Sequence, residues 1–358
     1  MKTTFLTPGP SQLYFTVEDH LRMAMRENVC SISHRSKQFE TIFSHAVSEL
    51  RTLLQIPENF HIVFTSSANE TWERLLQNCV EKESFHLVNG SFSKKFFSFS
   101  EDLGLDSTKH EVDFGQGFDM DSVEVPESAE LICAIANETS SGVMTPMAEI
   151  AKLKERYPDK LLAVDVVSAI PFFQPDFSKV DSIYFSVQKG MGLPAGLGVW
   201  IFNEKCVEKS EQIRAKGKST GTYHSISALL GKSKNNQTPE TPNILGIYLL
   251  GKICEDMNRK TVEMIRQETI YKSALIYGLL ERNKNLEPFI TDEKQRSKTV
   301  LVANLLNGTS SELIAKLKES NIEIGSGYGK YKESQIRIAN FPTHSKEIFE
   351  KLYDLLED

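Results

Sequence analysis

Cysteine is scarce here and poorly placed for its usual structural roles. Five cysteines, at positions 30, 79, 133, 206 and 254, are spread over 358 residues without a Cys-x-x-Cys pair. That spacing points away from a zinc site or a disulfide framework. Long apolar runs are missing too: none approaches the roughly 18 to 20 residues a helix needs to cross a bilayer. The opening Met-Lys-Thr-Thr-Phe-Leu-Thr7-Pro-Gly-Pro10 stops being apolar too early for a secretory signal. Basic residues are outnumbered, 41 against 48 acidic, and a net charge of −7 disfavours a general nucleic-acid or anionic-membrane surface. There is no internal repeat and no low-complexity tract. The expectation is a cytoplasmic protein with no metal, no nucleic-acid partner and no membrane partner.

What the chain does have is Ser186-Val-Gln-Lys189-Gly-Met-Gly-Leu-Pro-Ala-Gly-Leu-Gly198. A β-like run, Ser182 to Val187, delivers one lysine into a segment with four glycines and a proline, which cannot be regular helix or strand. A lysine fixed at a strand end can form a Schiff base with an aldehyde cofactor. The plain alternative is a surface lysine in a loop. Earlier in the chain, Leu161-Leu-Ala-Val-Asp165-Val-Val-Ser168 places a carboxylate and a hydroxyl in a hydrophobic run that reads as a parallel strand covered on both faces. Buried there, Asp165 needs a cationic partner. A protonated pyridine nitrogen would supply one, so the pair fits pyridoxal phosphate. Turn capping or an arginine partner is the alternative for Asp165.

The rest of the chain alternates strand-like and helix-like runs. A helix begins near Thr16, and a second is expected over 38–54 from Phe39, Ile42, Phe43, Ala46, Leu50 and Leu53. Strand His61–Thr65, the polar turn Ser66 to Thr71 and a helix from Trp72 together make an anion site, or an ordinary helix cap. His86 to Asn89 reads as a strand followed by a turn, with Phe92 placed to stack on a flat ring or to fill core. Leu131 to Ala136 ends in the polar cluster Asn137-Glu138-Thr139. Chemistry-capable residues thus recur at strand ends near 65, 90, 136, 165 and 187, where open α/β sheets bind ligands. Residues 214–243 lack periodicity and read as a long functional or subunit-contact loop. Beyond them lie long helical patterns over 244–282, strand 299–304, helix 311–319, a glycine turn at 325–329, strand 335–339 and helix 345–356. The fold expected is α/β: a large unit, 16–250, with a mostly parallel seven-stranded-type sheet between helices. A smaller α+β unit takes 1–15 and 251–358.

These pieces, in this order, resemble the class V aminotransferases of the pyridoxal phosphate fold-type I group, most closely their phosphoserine branch. The resemblance rests on Thr7-Pro-Gly-Pro, Ser33-His34-Arg35-Ser-Lys-Gln-Phe39, Asn137-Glu138-Thr139, Asp165 to Ser168, Gln188-Lys189, the Thr-Pro segment at 238–242 and Arg337 to Asn340. It implies pyridoxal 5'-phosphate as cofactor, amino-acid and keto-acid substrates, and exchange of an amino group between phosphoserine and 2-oxoglutarate. It also implies that Lys189 is the Schiff-base lysine and that Asp165 keeps the ring nitrogen protonated. Thr139 would meet the ring hydroxyl and Phe92 would lie over the ring. Ala68, Asn69 and Glu70 correspond to the phosphate turn, with Ser168 and Gln188 as further donors. Gln237 and Thr238 correspond to a loop reaching the neighbouring subunit's cofactor, hence a homodimer. Arg337 corresponds to the α-carboxylate arginine, and His34 and Arg35 to a pair on the substrate's distal acid.

Several positions depart from that branch. The phosphate turn is Ser-Ala-Asn-Glu where the branch has glycines and an arginine, Phe92 stands for a tryptophan, and Gln237 for an asparagine. A His-Arg pair before the last strand is replaced by Gly-Tyr-Gly-Lys330-Tyr-Lys332. That last segment resembles the alanine– or serine–glyoxylate aminotransferases of the same class and keeps their reaction open, while the divergent phosphate turn keeps open a catalytically silent binding protein on the same scaffold. Cysteine desulfuration is disfavoured, since the last cysteine is Cys254 and Gln188 stands where a histidine precedes the lysine.

Overall fold

The computed structural model describes residues 2–357. In chain order, β1 (Thr4–Leu6), α1 (Val17–Arg26) and α2 (Lys37–Leu54) precede β2 (Phe60–Thr65), α3 (Ala68–Cys79), β3 (Glu83–Val88) and α4 (Ser91–Asp102). Next come β4 (Asp106–Glu111), β5 (Ala129–Ile135), the short hairpin β6 (Asn137–Glu138) and β7 (Val143–Met144), α5 (Met147–Arg156), β8 (Leu161–Asp165), β9 (Ser182–Ser186) and β10 (Gly198–Asn203). Four helices follow: α6 (Glu204–Ala215), α7 (Ile226–Ser233), α8 (Ile244–Lys260) and α9 (Val262–Leu280). The chain finishes with β11 (Leu286–Pro288), β12 (Val300–Leu305), α10 (Ser310–Glu319), β13 (Ile322–Ser326), β14 (Gln335–Ala339) and α11 (Lys346–Glu357).

The larger sheet runs β2-β10-β9-β8-β5-β3-β4. Its neighbours are parallel except around β10, which is antiparallel to both β2 and β9. Strands β8 and β9 are buried at every residue, because helices cover both faces and leave no solvated side to alternate toward. On one face α2 and α8 pack Phe39, Phe43, Leu50, Ile247 and Leu250 into a core. On the other, α3 contributes Trp72, Leu75 and Leu76 to a second core with Tyr184 and Trp200. The carboxyl ends of the adjacent parallel strands β5, β8 and β9 meet along one edge, with Ile135 opposite Asp165 and Asp165 opposite Tyr184.

The smaller sheet runs β1-β13-β14-β12-β11, and β1 joins it in parallel from the other end of the chain. A buried pair secures that join. Lys272 Nζ donates to the carbonyls of Phe341 and His344 at 3.1 and 2.8 Å. His344 accepts the Phe341 amide at Nδ1, so its Nε2–H donates to Phe5 O at 3.0 Å.

Four features differ from the pattern-based reading. Helix α7 lies inside the stretch expected to be loop: Ser225 caps it, and Ile226, Leu229 and Leu230 form a short buried stripe. Residues 322–326 are strand β13, although glycine and serine end it. Phe92 sits in the first turn of α4, not in an open turn. The change of core falls later than residue 250, within α9, whose Ile265 joins the larger core and Ile276 the smaller. Among the described residues no helix is long and apolar enough to cross a membrane.

The lysine loop is held by close backbone contact. A Cβ on Gly190 would lie 1.8 Å from the carbonyl oxygen of Ile170, so only glycine fits without moving backbone. Gly190→Ala is expected to lower unfolding free energy by about 3 kcal/mol, read from the urea midpoint of the cofactor-free protein.

Candidate active site

A cavity of 510 Å³ opens where the carboxyl ends of the larger sheet face the smaller unit. Lys189 enters from the loop after β9, 8% exposed. Its Nζ donates to Thr139 Oγ1 at 3.1 Å and lies 5.2 Å from the Phe92 ring centroid. Burial pushes its pKa down to about 8, with Arg337 helping and Asp165 and Glu138 opposing. An amine in that range is partly unprotonated near neutrality, as a nucleophile must be.

Asp165 ends β8 in the same wall. Its Oδ1 accepts the Val167 amide at 2.9 Å and its Oδ2 accepts the Trp72 indole N–H at 3.0 Å. Burial raises its pKa to about 6, against the Val167 amide, Lys189 and Trp72, which favour the charged form. Arg337, on β14, reaches in from the smaller unit. It donates to Ser326 O and Thr139 O at 2.8 and 3.2 Å, and Tyr328 stacks on its guanidinium at 5.3 Å. Among the described residues, Lys189, Asp165 and Arg337 form no ion pair within 4 Å. Buried Lys189 and Asp165 and half-buried Arg337 therefore border one cavity without pairing to a side chain of opposite charge, an arrangement suited to a charged ligand.

The walls explain how these groups are held. Glu138, fully buried, accepts from the Phe92 and Ser93 amides at 3.3 and 2.9 Å and from Ser140 Oγ at 2.6 Å. It satisfies the orphan amides of the α4 start and so fixes Phe92 over Lys189. Gly9, at φ +133°, packs against the lysine stem: a Cβ there would lie 2.7 Å from Lys189 Cε. At the far end, the α3 N-terminus presents Ala68 and Asn69 to the cavity beside Gln188. The Ala68 amide donates to Ser186 Oγ at 2.7 Å and the Glu70 amide to the cap Ser67 Oγ at 3.2 Å. Asn69, between them, lines the cavity at the helix start, where the dipole favours an anion.

Pyridoxal 5'-phosphate fits this donor set. An anion-binding helix end, a carboxylate and an amine lie round one cavity, and Phe92 supplies a flat face.

Lys189, Asp165, Thr139, Phe92, Ala68, Asn69, Gln188 and Arg337 all line the cavity. Other expected site residues do not. Ser168 lies behind the wall, accepting from Asn137 Nδ2 and Thr139 Oγ1 at 2.8 Å each and donating to Asn137 O; it orients Thr139 and does not line the cavity. Glu70 is turned away, because a carboxylate cannot share an anion site. It accepts from Ser66 N and Oγ at 2.7 and 2.6 Å and pairs with His224. His34, Arg35, Gln237 and Thr238 form a separate patch. There Arg35 donates to Gln237 Oε1 at 3.0 Å and to Thr238 O at 2.7 Å, and Thr238 Oγ1 donates to Glu240 O at 2.8 Å. Sequence reasoning missed Trp72, Gly9 and Tyr328 as site residues. Trp72 read as helix core, and Thr7-Pro-Gly-Pro and Gly-Tyr-Gly carried no chemistry of their own.

The comparisons agree with this geometry. Residues 5–332 match the family model described as aminotransferase class-V. The chain belongs to the class V aminotransferases. A solved phosphoserine aminotransferase from Cytophaga hutchinsonii shares 48% identity with this aminotransferase at a TM-score of 0.98, covering 99% of this chain and 98% of that one. A curated phosphoserine aminotransferase from Rhodococcus opacus is 26% identical over 94% of this chain and 88% of its own length. An alanine–glyoxylate aminotransferase from Nostoc sp. has the same fold, with a TM-score of 0.84, 21% identity and coverage of 100% and 95%.

One ionic link joins the α3 start to the 237–241 segment. Burial lowers the His224 pKa, but Glu240 and Glu70 outweigh it and lift the imidazole to about 9. Glu70, which burial alone would raise, is held down to about 2 by His224 and Ser66. The histidine's contribution is full below its ordinary 6.5 and is lost as pH rises through about 9. The Glu70 contribution is present above 4.5 and lost as pH falls through about 2. His224→Gln should therefore cost about 2 kcal/mol at pH 6.5. The gap to wild type in urea midpoints should close by about pH 9.5.

Proposed function

We propose that this aminotransferase exchanges the amino group of phosphoserine with 2-oxoglutarate, giving 3-phosphooxypyruvate and glutamate, as in serine biosynthesis. It acts as a cytoplasmic homodimer with pyridoxal 5'-phosphate. The observation that carries the reading is the trio of charges without an ion-pair partner, buried Lys189 and Asp165 and half-buried Arg337, round one cavity. The 48% identity to a phosphoserine aminotransferase over nearly the whole chain supports the substrate.

When bound, the cofactor supplies an aldehyde and a ring that absorbs carbanion charge. Lys189 would hold the cofactor's aldehyde through its amine and, with Nζ lining the cavity, would hold and move a proton there. Asp165 would hold the ring nitrogen as its acid partner. Arg337, with no carboxylate of its own, takes the substrate α-carboxylate in a two-pronged grip. Phe92 would offer the ring a flat face, and the α3 start at Asn69, with Gln188, would hold the phosphate. In the homodimer the patch of His34, Arg35, Gln237 and Thr238 serves the neighbouring subunit's cavity, since none of the four lines its own. The absence of disulfides among the five cysteines suits a reducing compartment.

One observation favours a second reading. Lys330 and Lys332 do not line the cavity, whose lining cations are Lys189 and Arg337, and Glu323 adds a negative charge. If the neighbour's Arg35 does not meet the substrate's distal phosphate, alanine or serine with glyoxylate is the better substrate pair.

The purified protein should absorb between roughly 320 and 430 nm through the bound cofactor. Phosphoserine should bleach the longer-wavelength band and alanine should not, and Lys189→Ala should lack that band. Bleaching by alanine or serine alone would move the enzyme to the glyoxylate branch; no band with added cofactor would leave a binding protein. Arg337→Ala should raise KM for phosphoserine about 100-fold, with the internal cofactor spectrum retained.

A further inference from the structure

Asp165 is steered by two donors of different origin. The Val167 amide on Oδ1 belongs to its own turn, whereas the Trp72 indole on Oδ2 comes from α3, 93 residues away in sequence. A carboxylate rotates softly about its last torsion, so a local amide on one oxygen leaves its plane poorly fixed. The indole removes that freedom. Its own plane is set by stacking on Phe96, centroids 5.1 Å apart and 15° from parallel, and by Phe99 edge-on at 5.6 Å. Trp72 is 2% exposed, yet it also borders the cavity.

The same helix does a second job one turn earlier. Ala68 and Trp72 stand at i and i+4, on one face of α3. Ala68 lies at the anion-binding helix end, while Trp72 reaches the carboxylate. One rigid turn of helix thereby sets the distance between the two polar ends of the cavity. No strand residue takes the place of the indole: the Tyr184 hydroxyl, on the residue opposite Asp165 in the sheet, is buried beside the Trp72 indole and makes no hydrogen bond to Asp165.

We propose that Trp72 is a positioning residue for transamination, its indole N–H orienting the Asp165 carboxylate toward the cofactor's ring nitrogen and favouring its ionised form. The inference rests on the reading that this cavity holds pyridoxal phosphate, but its first test does not.

The test compares wild type, Trp72→Phe, Asp165→Asn and the double variant, all in a Tyr184→Phe background that denies a substitute donor. In the cofactor-free protein, carbon-13 carboxyl NMR follows the resonance that Asp165→Asn abolishes. That resonance should titrate at higher pH in Trp72→Phe than in the background protein. Absorbance titration with pyridoxal phosphate should give a Kd raised about tenfold by Trp72→Phe, and by less than twofold once Asp165 is asparagine. Leu75→Val, which loosens the same core but keeps the indole N–H and its stacking on Phe96, should lower the urea midpoint and leave both readouts in place. An unmoved Asp165 titration, an undiminished Kd effect in the asparagine background, or the same effects from Leu75→Val would each overturn the proposal. Failure of the wild-type protein to bind pyridoxal phosphate would overturn the preceding functional reading, and the cofactor-free titration would still decide the role of Trp72.

Discussion

The structure turns on keeping opposite charges apart while burying them. Lys189 and Asp165 sit at the ends of adjacent parallel strands, in a dry wall where a direct ion pair would be the easy solution. They do not touch, and each is shifted toward its neutral form, the amine to about 8 and the carboxyl to about 6. Burial is the leading cause in both. A ligand that puts a cation beside Asp165 and takes the amine of Lys189 relieves both costs at once. Affinity for such a ligand is thus built into the cofactor-free protein as unspent desolvation.

Holding that separation takes backbone that cannot slide. The two charged groups are carried on β8 and the β9 loop, each in a strand register set by helices on both sheet faces. Gly190 brings the lysine loop into van der Waals contact with the turn after β8, and Gly9 closes against the lysine stem from the N-terminal segment. That segment is pinned through Phe5 to His344 and Lys272 in the smaller unit. The third charge, Arg337, rides on the same smaller sheet. Arg337 and the lysine packing therefore share one support.

Among the described residues, the cavity end at the start of α3 carries no arginine side chain. Glu70 would repel an anion if it faced the cavity, and instead it caps Ser66 and binds His224. His224 in turn lies 3.0 Å from Glu240, beside the Gln237–Thr238 segment. What this end offers an anion is the start of a helix and its dipole, which carry partial charge without the volume of a guanidinium. The Glu70 charge is given to the scaffold.

From the sequence by itself came the alternation of buried strands and amphipathic helices, the lysine in its glycine-rich loop, the interrupted strand at Asp165 and the order of the family motifs. These are local in sequence, so periodicity and composition report them. Tertiary structure alone decided which polar residues converge. It set Ser168 and Glu70 behind the site and made Trp72, indistinguishable in sequence from a core residue of α3, a donor to Asp165. It also turned residues 226–233 into a helix, and gathered His34, Arg35, Gln237 and Thr238 on a patch away from their own cavity. Those outcomes depend on contacts between segments tens to hundreds of residues apart. No local pattern encodes them, because the direction of a side chain's polar atom is fixed only when its neighbours have packed.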